Sequence, residues 1–130
     1  MLISTETNVK GNVVKQELWA DMAYCRTGVT INDTAGTLAV GTVLGKVTAT
    51  GKYLRAVQSA VDGSAVAAAI VITPITILGA TDTKVVCLTR GPAAVSKTGL
   101  VLGATYSTQA HFDAVYASLE AVGIQVLTTV

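Results

Sequence analysis

Apolar residues recur with a helical spacing near the end of the chain, and this is its clearest local pattern. Within residues 107–123, five apolar side chains fall on one face of a helix: Phe112, Val115, Tyr116, Leu119 and Val122. Ser107 or Thr108 can cap the start of this helix, and Gly123 can end it. Residues 124–127 then predict a final short strand.

Upstream of the helix, short runs of β-branched and apolar residues alternate with turn residues, which predicts strands. Asp62-Gly63 is one such turn, because the aspartate can cap it and the glycine can adopt a positive φ. The predicted strands lie in residues 29–31, 38–48, 52–57, 65–72 and 84–89, with a shorter one at 93–95.

Residues 63–81 contain no charge over nineteen positions, which is close to the length of a membrane-spanning helix. Pro74 and the β-branched residues around it favour two buried strands broken near Thr73-Pro74 instead. Residues 65–72 are so free of polar side chains that both faces of that strand are predicted to be covered. No membrane partner is predicted.

The length of 130 residues suits one domain with an arm. We predict an extended N-terminal arm over residues 1–15 and a single domain over 16–130. The arm carries scattered apolar positions at Val9, Val13 and Val14, and a frayed terminus is the alternative. Nearby, Trp19 and Tyr24 are predicted to be core or interface anchors, since large amphipathic rings gain most from partial burial.

Charge is scarce in this sequence. Hydrophobic residues make up 51% of the chain and charged residues 13%, with a net charge of +1. Such a chain often hides apolar surface in an oligomer or on a partner. The absence of a basic run and of stacking aromatics argues against nucleic acid as a direct partner. No secretory signal is predicted at the N-terminus, so we expect synthesis in the cytoplasm.

The two cysteines predict neither a disulfide nor a metal site. Cys25 and Cys87 are far apart and form no CxxC motif, and the chain has one histidine, too few for a four-ligand zinc site. Cys87 lies in an apolar run and is predicted to be buried, whereas Cys25 is predicted to be partly exposed. No cofactor is predicted.

Two Gly-Lys pairs in "GTVLGKVTATGKY", residues 41–53, suggest a phosphate-binding loop but fail its pattern. The spacing of the preceding glycines is wrong, and Val47 and Tyr53 replace the hydroxyl residue after each lysine. The surrounding β-branched residues favour strands. We therefore predict a bend at Gly45 and a turn at Gly51 in paired strands, with Lys46 and Lys52 as solvated edge residues. His111 is interpreted as an ordinary boundary histidine, and no catalytic residue is predicted.

Four segments in order resemble the lambda-type bacteriophage head decoration proteins: "GTVLGKVTATGKY", "DGSAVAAAIV", "TKVVCLTRGPAAVSKTGL" and "LEAVGIQV". The upstream "KGNVVKQE" is similar to the segment before the folded domain in many members. The resemblance covers residues 9–127. It implies a small α+β, β-rich protein with a mixed, tulip-like sheet and a C-terminal helix followed by a strand.

The same resemblance implies a structural virion protein, not an enzyme. Members form homotrimers on the outside of the expanded head, at three-fold and quasi-three-fold positions, and cement major capsid proteins against the pressure of packaged DNA. The arm is then expected to bind the capsid through Val9, Val13 and Val14, in some members by strand addition. Trp19 and Tyr24 become candidates for the subunit or capsid interface.

Two rival functions remain open from the sequence. The first is a small β-barrel binding or carrier module in which Lys46 or Lys52 near a hairpin tip holds a prosthetic group. The second is an enzyme whose site is assembled across a trimer interface with His111.

Overall fold

The computed structural model describes residues 14–17, 25–79, 81–103 and 105–127. Within these residues the chain forms ten strands, one α-helix and a short 3-10 helix at Lys97–Gly99, in the following order. The elements are β1 (Val14–Glu17), β2 (Arg26–Ile31), β3 (Gly36–Leu38), β4 (Val43–Lys46), β5 (Tyr53–Arg55), β6 (Ala67–Val71), β7 (Ile75–Ile77), β8 (Thr83–Leu88), β9 (Ala93–Ser96), α1 (Gln109–Ala121) and β10 (Ile124–Leu127).

Five strands close into a barrel in the order β2-β5-β4-β6-β8. The longest seam joins β2 and β8, which pair antiparallel over all six residues of each strand. The seam between β2 and β5 is parallel and pairs at one position, Ile31 with Tyr53. Closure removes the strand edges that an open sheet would expose.

Two smaller sheets flank the barrel. In the first, β9 lies in the middle, antiparallel to β1 and parallel to β10. In the second, β3 and β7 form an antiparallel ribbon. The parallel β9–β10 pair needs a long crossover, and α1 lies within that crossover.

The apolar residues form two cores on opposite sides of the barrel wall. The barrel core is drawn from β2, β4, β6 and β8, and the β3–β7 ribbon adds Leu38 and Ile77 to it. The helix-side core lies between the outer face of the wall and the layer made by α1 and the β9 sheet. Its wall residues are Val43, Ile70 and Leu88, and its opposing residues include Val95, Val115, Leu119 and Ile124.

The helix forms where the sequence predicts it. Thr108 caps its start, because the Thr108 hydroxyl oxygen accepts a hydrogen bond from the backbone N–H of His111 at 3.4 Å. Val115 and Leu119 are buried. Val122 is 38% exposed because the helix ends at Ala121 and Gly123 reverses the chain with a φ of +89°.

The predicted strand-rich fold with one C-terminal helix followed by a strand is confirmed. The predicted mixed sheet is also confirmed, because β9 pairs antiparallel with β1 and parallel with β10. The uncharged residues 63–81 form two strands, β6 and β7, separated by residues 72–74 as predicted. In the described residues, no helix is long and apolar enough to cross a membrane. The strands are distributed over three sheets, a division that the sequence pattern did not indicate.

Replacing Leu119 with Ala should test how much the helix-side core depends on α1. Leu119 is fully buried, so the substitution leaves a cavity and should lower the free energy of unfolding by about 2–5 kcal/mol. Val122→Ala at the end of the same helix is the matched control and should cost about 1 kcal/mol or less. Urea unfolding followed by circular dichroism measures both, and equal losses would contradict the assigned packing.

Candidate functional site

The 41–53 segment is a β-hairpin and not a phosphate-binding loop. β4 and β5 pair antiparallel, and no helix follows either Gly-Lys pair. The turn between them is closed by the backbone N–H of Val47, which donates to the carbonyl of Lys52 at 2.9 Å. Gly51 has a φ of +71°, so the predicted turn at this glycine is confirmed.

Gly45 lies where two segments approach closely. The pairing of β4 with β6 shifts register between Leu44 and Gly45, which is the predicted bend. A side chain at Gly45 would overlap the backbone carbonyl of Ser64, which lies in the turn that precedes β6. That turn is held by Asp62, whose carboxylate accepts hydrogen bonds from the backbone N–H and hydroxyl of Ser64 at 3.0 and 2.6 Å. Gly45 is therefore required by packing against this turn.

The two lysines of the hairpin have different surroundings. Lys46 is exposed, as predicted, with its Nζ 6.0 Å from the centroid of the Tyr53 ring. The prediction that it lies on an edge strand is wrong, because β4 pairs with both β5 and β6 in the closed barrel. Lys52 was predicted to be simply solvated, but its Nζ lies 3.0 Å from Oδ1 of Asp82. The structure thus brings Lys52 into an ion pair that joins the hairpin to the start of β8.

Lys52 belongs to a polar group at one end of the barrel, which we call the barrel-end cluster: Asn32, Asp33, Lys52, Arg55 and Asp82. Asn32 Nδ2 donates to Asp82 Oδ1 at 2.9 Å, so Asp82 bridges the β2–β3 loop and the hairpin. Arg55 donates from both its backbone N and its Nε to Asp33 Oδ2, each at 2.9 Å. The cluster therefore connects three loops: the one between β2 and β3, the one between β4 and β5, and the one between β7 and β8.

The electrostatics of Asp33 follow from these contacts. Burial alone would raise the pKa of its carboxyl group, but hydrogen bonds from Arg55 and from the backbone of Thr34 outweigh burial and hold that pKa below its usual value. The pKa of Asp82 is also lowered, first by its hydrogen bond from Asn32 and then by Lys52. Both carboxylates are stabilised in their charged forms.

His111 contacts its own helix terminus. Its Nδ1 accepts a hydrogen bond from the backbone N–H of Ser107 at 3.3 Å, and its ring meets the Tyr106 ring edge-on at 6.4 Å between centroids. The side chain is half-buried at the boundary, as predicted. Across the described residues, no group of three or more His, Cys, Asp or Glu side chains could hold a metal ion.

Both cysteine side chains are fully buried. Cys87 lies in the barrel core, as predicted, and burial raises the pKa of its thiol to about 12. The prediction that Cys25 is partly exposed is wrong. Its backbone carbonyl accepts hydrogen bonds from the N–H groups of Thr89 and Arg90, so the chain after β8 covers it, and its Sγ lies 3.4 Å from the carbonyl oxygen of Pro92.

Val14 is the one predicted arm contact whose structure is described. It begins β1, pairs with Val95 of β9, and packs half-buried against the helix-side core. Val9, Val13, Trp19 and Tyr24 lie outside the described residues, so their roles at the capsid or between subunits stay predictions. β1 extends two residues to either side of the predicted boundary between Lys15 and Gln16.

Sequence reasoning did not identify a group of exposed valines between β5 and β6. Val57, Val61 and Val66 are all exposed in the described structure, and Val61 is 101% exposed. The segment has only one charged residue, Asp62, which can be read from the sequence. The exposure of the valines cannot be read in the same way, because buried and exposed apolar residues look alike in a sequence.

The chain matches the family model of bacteriophage lambda head decoration protein D over residues 3–124. The chain therefore belongs to this family, as the resemblance implied. Its members are structural proteins of the phage head, so the chain has a structural role on the capsid and is located in the virion. Comparison with curated proteins gives no match.

Gly45→Ala tests the close approach at the hairpin. The added methyl group would overlap Ser64, so the turn before β6 must move, and we expect a loss of about 1–3 kcal/mol in the free energy of unfolding. Gly28→Ala in β2 is the control, since an added Cβ there meets nothing within 4 Å. Thermal unfolding measures the stability of both variants. A Gly45→Ala protein as stable as Gly28→Ala would contradict this interpretation.

Asp33→Asn tests the barrel-end cluster by its pH dependence. Because the folded-state pKa of Asp33 is lowered, its charge stabilises the protein above the unfolded pKa of about 3.9, and that contribution is lost as the pH falls through the folded pKa. At pH 7 the variant should lose about 1–2 kcal/mol, since the Arg55 side chain is 37% exposed and partly screened.

The difference between Asp33→Asn and the natural protein should begin to shrink as the pH falls below about 4, where the unfolded carboxyl group is protonated, and should vanish below the lowered pKa of the folded state. Asp82→Asn removes a more exposed carboxylate and should produce a smaller change at pH 7. Urea unfolding at pH 7, 5, 4 and 3 measures these differences. A pH-independent difference for Asp33→Asn would show that its charge is not the stabilising element.

Proposed function

We propose that this chain is a homotrimeric cement protein of the phage head. In this proposal it binds the outside of the expanded head at three-fold and quasi-three-fold positions. There it holds neighbouring major capsid proteins together against the pressure of packaged DNA. The observation that carries the proposal is membership of the lambda head decoration protein D family over nearly the whole chain.

The packing of the barrel core supports a function that depends on the protein's surface and not on an internal binding site. The barrel core is filled with the side chains of Val29, Ile31, Leu44, Val71 and Cys87, together with Leu38 and Ile77 of the β3–β7 ribbon. Among the described residues, side chains that fill a small barrel in this way leave little room for a ligand inside it. In this proposal the protein has no catalytic activity, no cofactor, and no direct nucleic-acid or membrane partner.

The capsid contact is proposed to lie in the N-terminal segment. Val9 and Val13 precede β1 in sequence, and Val14 anchors that segment by pairing with β9 and packing against the helix-side core. Strand addition by a capsid protein would give main-chain hydrogen bonds, with alternate apolar side chains adding specificity. Three arms on one trimer would raise the overall affinity, because each bound arm increases the local concentration of the other two.

The rival functions gain no support from the lysines or the histidine. Lys52 is held by Asp82 at the barrel end, and Lys46 lies along the hairpin beside Tyr53. His111 accepts a hydrogen bond from the backbone of its own helix terminus. Intact-mass measurement on protein from the native host would detect the prosthetic group that a carrier function requires.

Removal of residues 1–13 tests the proposed capsid contact while leaving β1 intact. The full-length protein should co-sediment with expanded heads and bind unexpanded shells weakly or not at all. The truncated protein should lose at least about tenfold in affinity for expanded heads, because three linked contacts are removed together. Circular dichroism and thermal unfolding check that the truncated domain stays folded.

Paired point variants sharpen this experiment. Val9→Asp and Val13→Asp place a charge in the proposed contact and should weaken head binding, whereas Asn8→Asp adds the same charge at a polar neighbouring position. Equal head binding by full-length and truncated protein would move the capsid contact to the folded domain. Failure of the full-length protein to bind expanded heads at all would overturn the cement function.

A further inference from the structure

The sequence contains one Asp-Gly pair, Asp62-Gly63, and no Asn-Gly pair. A protein backbone isomerises readily at such dipeptides without an enzyme, because glycine has no side chain to shield its backbone nitrogen. The nitrogen of Gly63 attacks the side-chain carboxyl carbon of Asp62, a C–N bond forms, and the carboxyl hydroxyl leaves with the amide proton as water. Water then opens the succinimide at either carbonyl and gives aspartate or isoaspartate, in which the backbone runs through the former side chain.

The fold places this pair in a turn that water can reach. The turn lies between β5 and β6, with Asp62 exposed and Gly63 half-buried. Gly63 has a φ of +103°, a conformation that glycine adopts at little cost. Access to water therefore does not protect the pair, and its chemical fate depends on the groups that hold it.

Ser64 holds the carboxyl group that would have to react. Its backbone N–H and its hydroxyl donate to Oδ1 of Asp62 at 3.0 and 2.6 Å. These bonds, the one from the hydroxyl first, lower the pKa of the Asp62 carboxyl group. A carboxylate is a poorer electrophile than a carboxylic acid, because it has no hydroxyl group that can leave as water. Ser64 is 1% exposed, so solvent does not compete for its hydroxyl.

The backbone on both sides of the reacting bond is also held. The carbonyl of Asp62 accepts a hydrogen bond from the N–H of Thr48 at 2.9 Å, and the carbonyl of Gly63 accepts one from the N–H of Val66 at 3.3 Å. A Cβ added at Gly63 would overlap Oγ1 of Thr48 and the carbonyl oxygen of Lys46, so this backbone is closely packed. The Asp62 side chain must leave Ser64 to reach the Gly63 nitrogen, so ring closure requires local opening of the turn.

We propose that Asp62-Gly63 is the site of spontaneous isoaspartate formation in this protein, and that the Ser64 hydroxyl suppresses the reaction in the folded state. This inference goes beyond the capsid role and depends on neither the trimer nor the arm. A structural protein of the virion is not replaced after assembly, so its backbone must last as long as the particle. Ser64 is then a protective residue for the turn before β6.

Isomerisation at this pair would disturb the wall of the barrel. Isoaspartate adds a methylene to the backbone between residues 62 and 63. The carbonyl that accepts from Thr48 and the Ser64 carbonyl that packs against Gly45 then cannot both keep their positions. We expect the isoaspartate form to unfold at a lower urea concentration than the natural protein.

Ser64→Ala tests the protective role. The natural protein and the variant are incubated near neutral pH at a temperature where circular dichroism shows both to be fully folded. Trypsin then releases residues 56–84, and mass spectrometry with electron-transfer fragmentation locates isoaspartate within them. The variant should form isoaspartate at position 62 about threefold to tenfold faster, the factor that one hydrogen bond of ordinary net strength represents. The natural protein unfolded in urea should react faster than either folded protein.

Two controls make the outcome decisive. Asp82 lies in the same tryptic fragment but precedes Thr83, whose β-branched side chain hinders attack, so isoaspartate should not accumulate there. Leu119→Ala lowers stability in the helix-side core and leaves the turn intact, so under folded conditions its rate should match that of the natural protein. A Leu119→Ala rate equal to that of Ser64→Ala would show that general unfolding controls the reaction, and would overturn the role of Ser64. Equal rates for Ser64→Ala and the natural protein, or for the natural protein folded and in urea, would overturn it as well.

Discussion

A wall of strands shared by two hydrophobic cores is the constraint on which this fold depends. Successive side chains of a strand point to opposite faces, and in most of β4 and β6 and at the end of β8 both faces are buried. One member of each pair enters the barrel core and the other enters the helix-side core: Leu44 and Val43, Val71 and Ile70, Cys87 and Leu88. A charge at any of these six positions would be buried without solvent, so they tolerate only apolar residues. This explains why β6, within the long uncharged stretch, carries only apolar residues.

Because buried positions of the wall exclude charge, the few charged residues lie at the ends and on the exposed outer surface of the barrel. The barrel-end cluster uses them to connect loops that the cores do not reach, with Asp33 and Arg55 as its most enclosed pair. Exposed ion pairs contribute little individually, but Asp33 also accepts from the backbone N–H of Arg55 and so fixes the position of β5. This contact helps to hold β5 in the closed barrel, because β5 pairs with β2 at a single residue pair along the one short parallel seam.

Local features were readable from the sequence, whereas partners distant along the chain were not. The helix, its Thr108 cap and the turns at Gly51 and Gly63 depend on neighbouring residues, and each lies where predicted. Barrel closure, the parallel pairing of β9 with β10 and the burial of Cys25 depend on segments far apart in sequence, which periodicity does not encode. For the same reason the exposed valines escaped notice, and the arm and interface residues at 9, 13, 19 and 24 lie outside the described residues.

The shared wall also links the surfaces on which the proposed function would act. β1 attaches the N-terminal segment to β9, all four residues of which are buried in or beside the helix-side core. The loop between β5 and β6, with its exposed valines, leads directly into β6, which belongs to the wall between the two cores. Close-packed interiors have low compressibility and transmit strain. If the proposed function holds, a load on the N-terminal segment would therefore pass through β9 to the core that packs against the barrel wall.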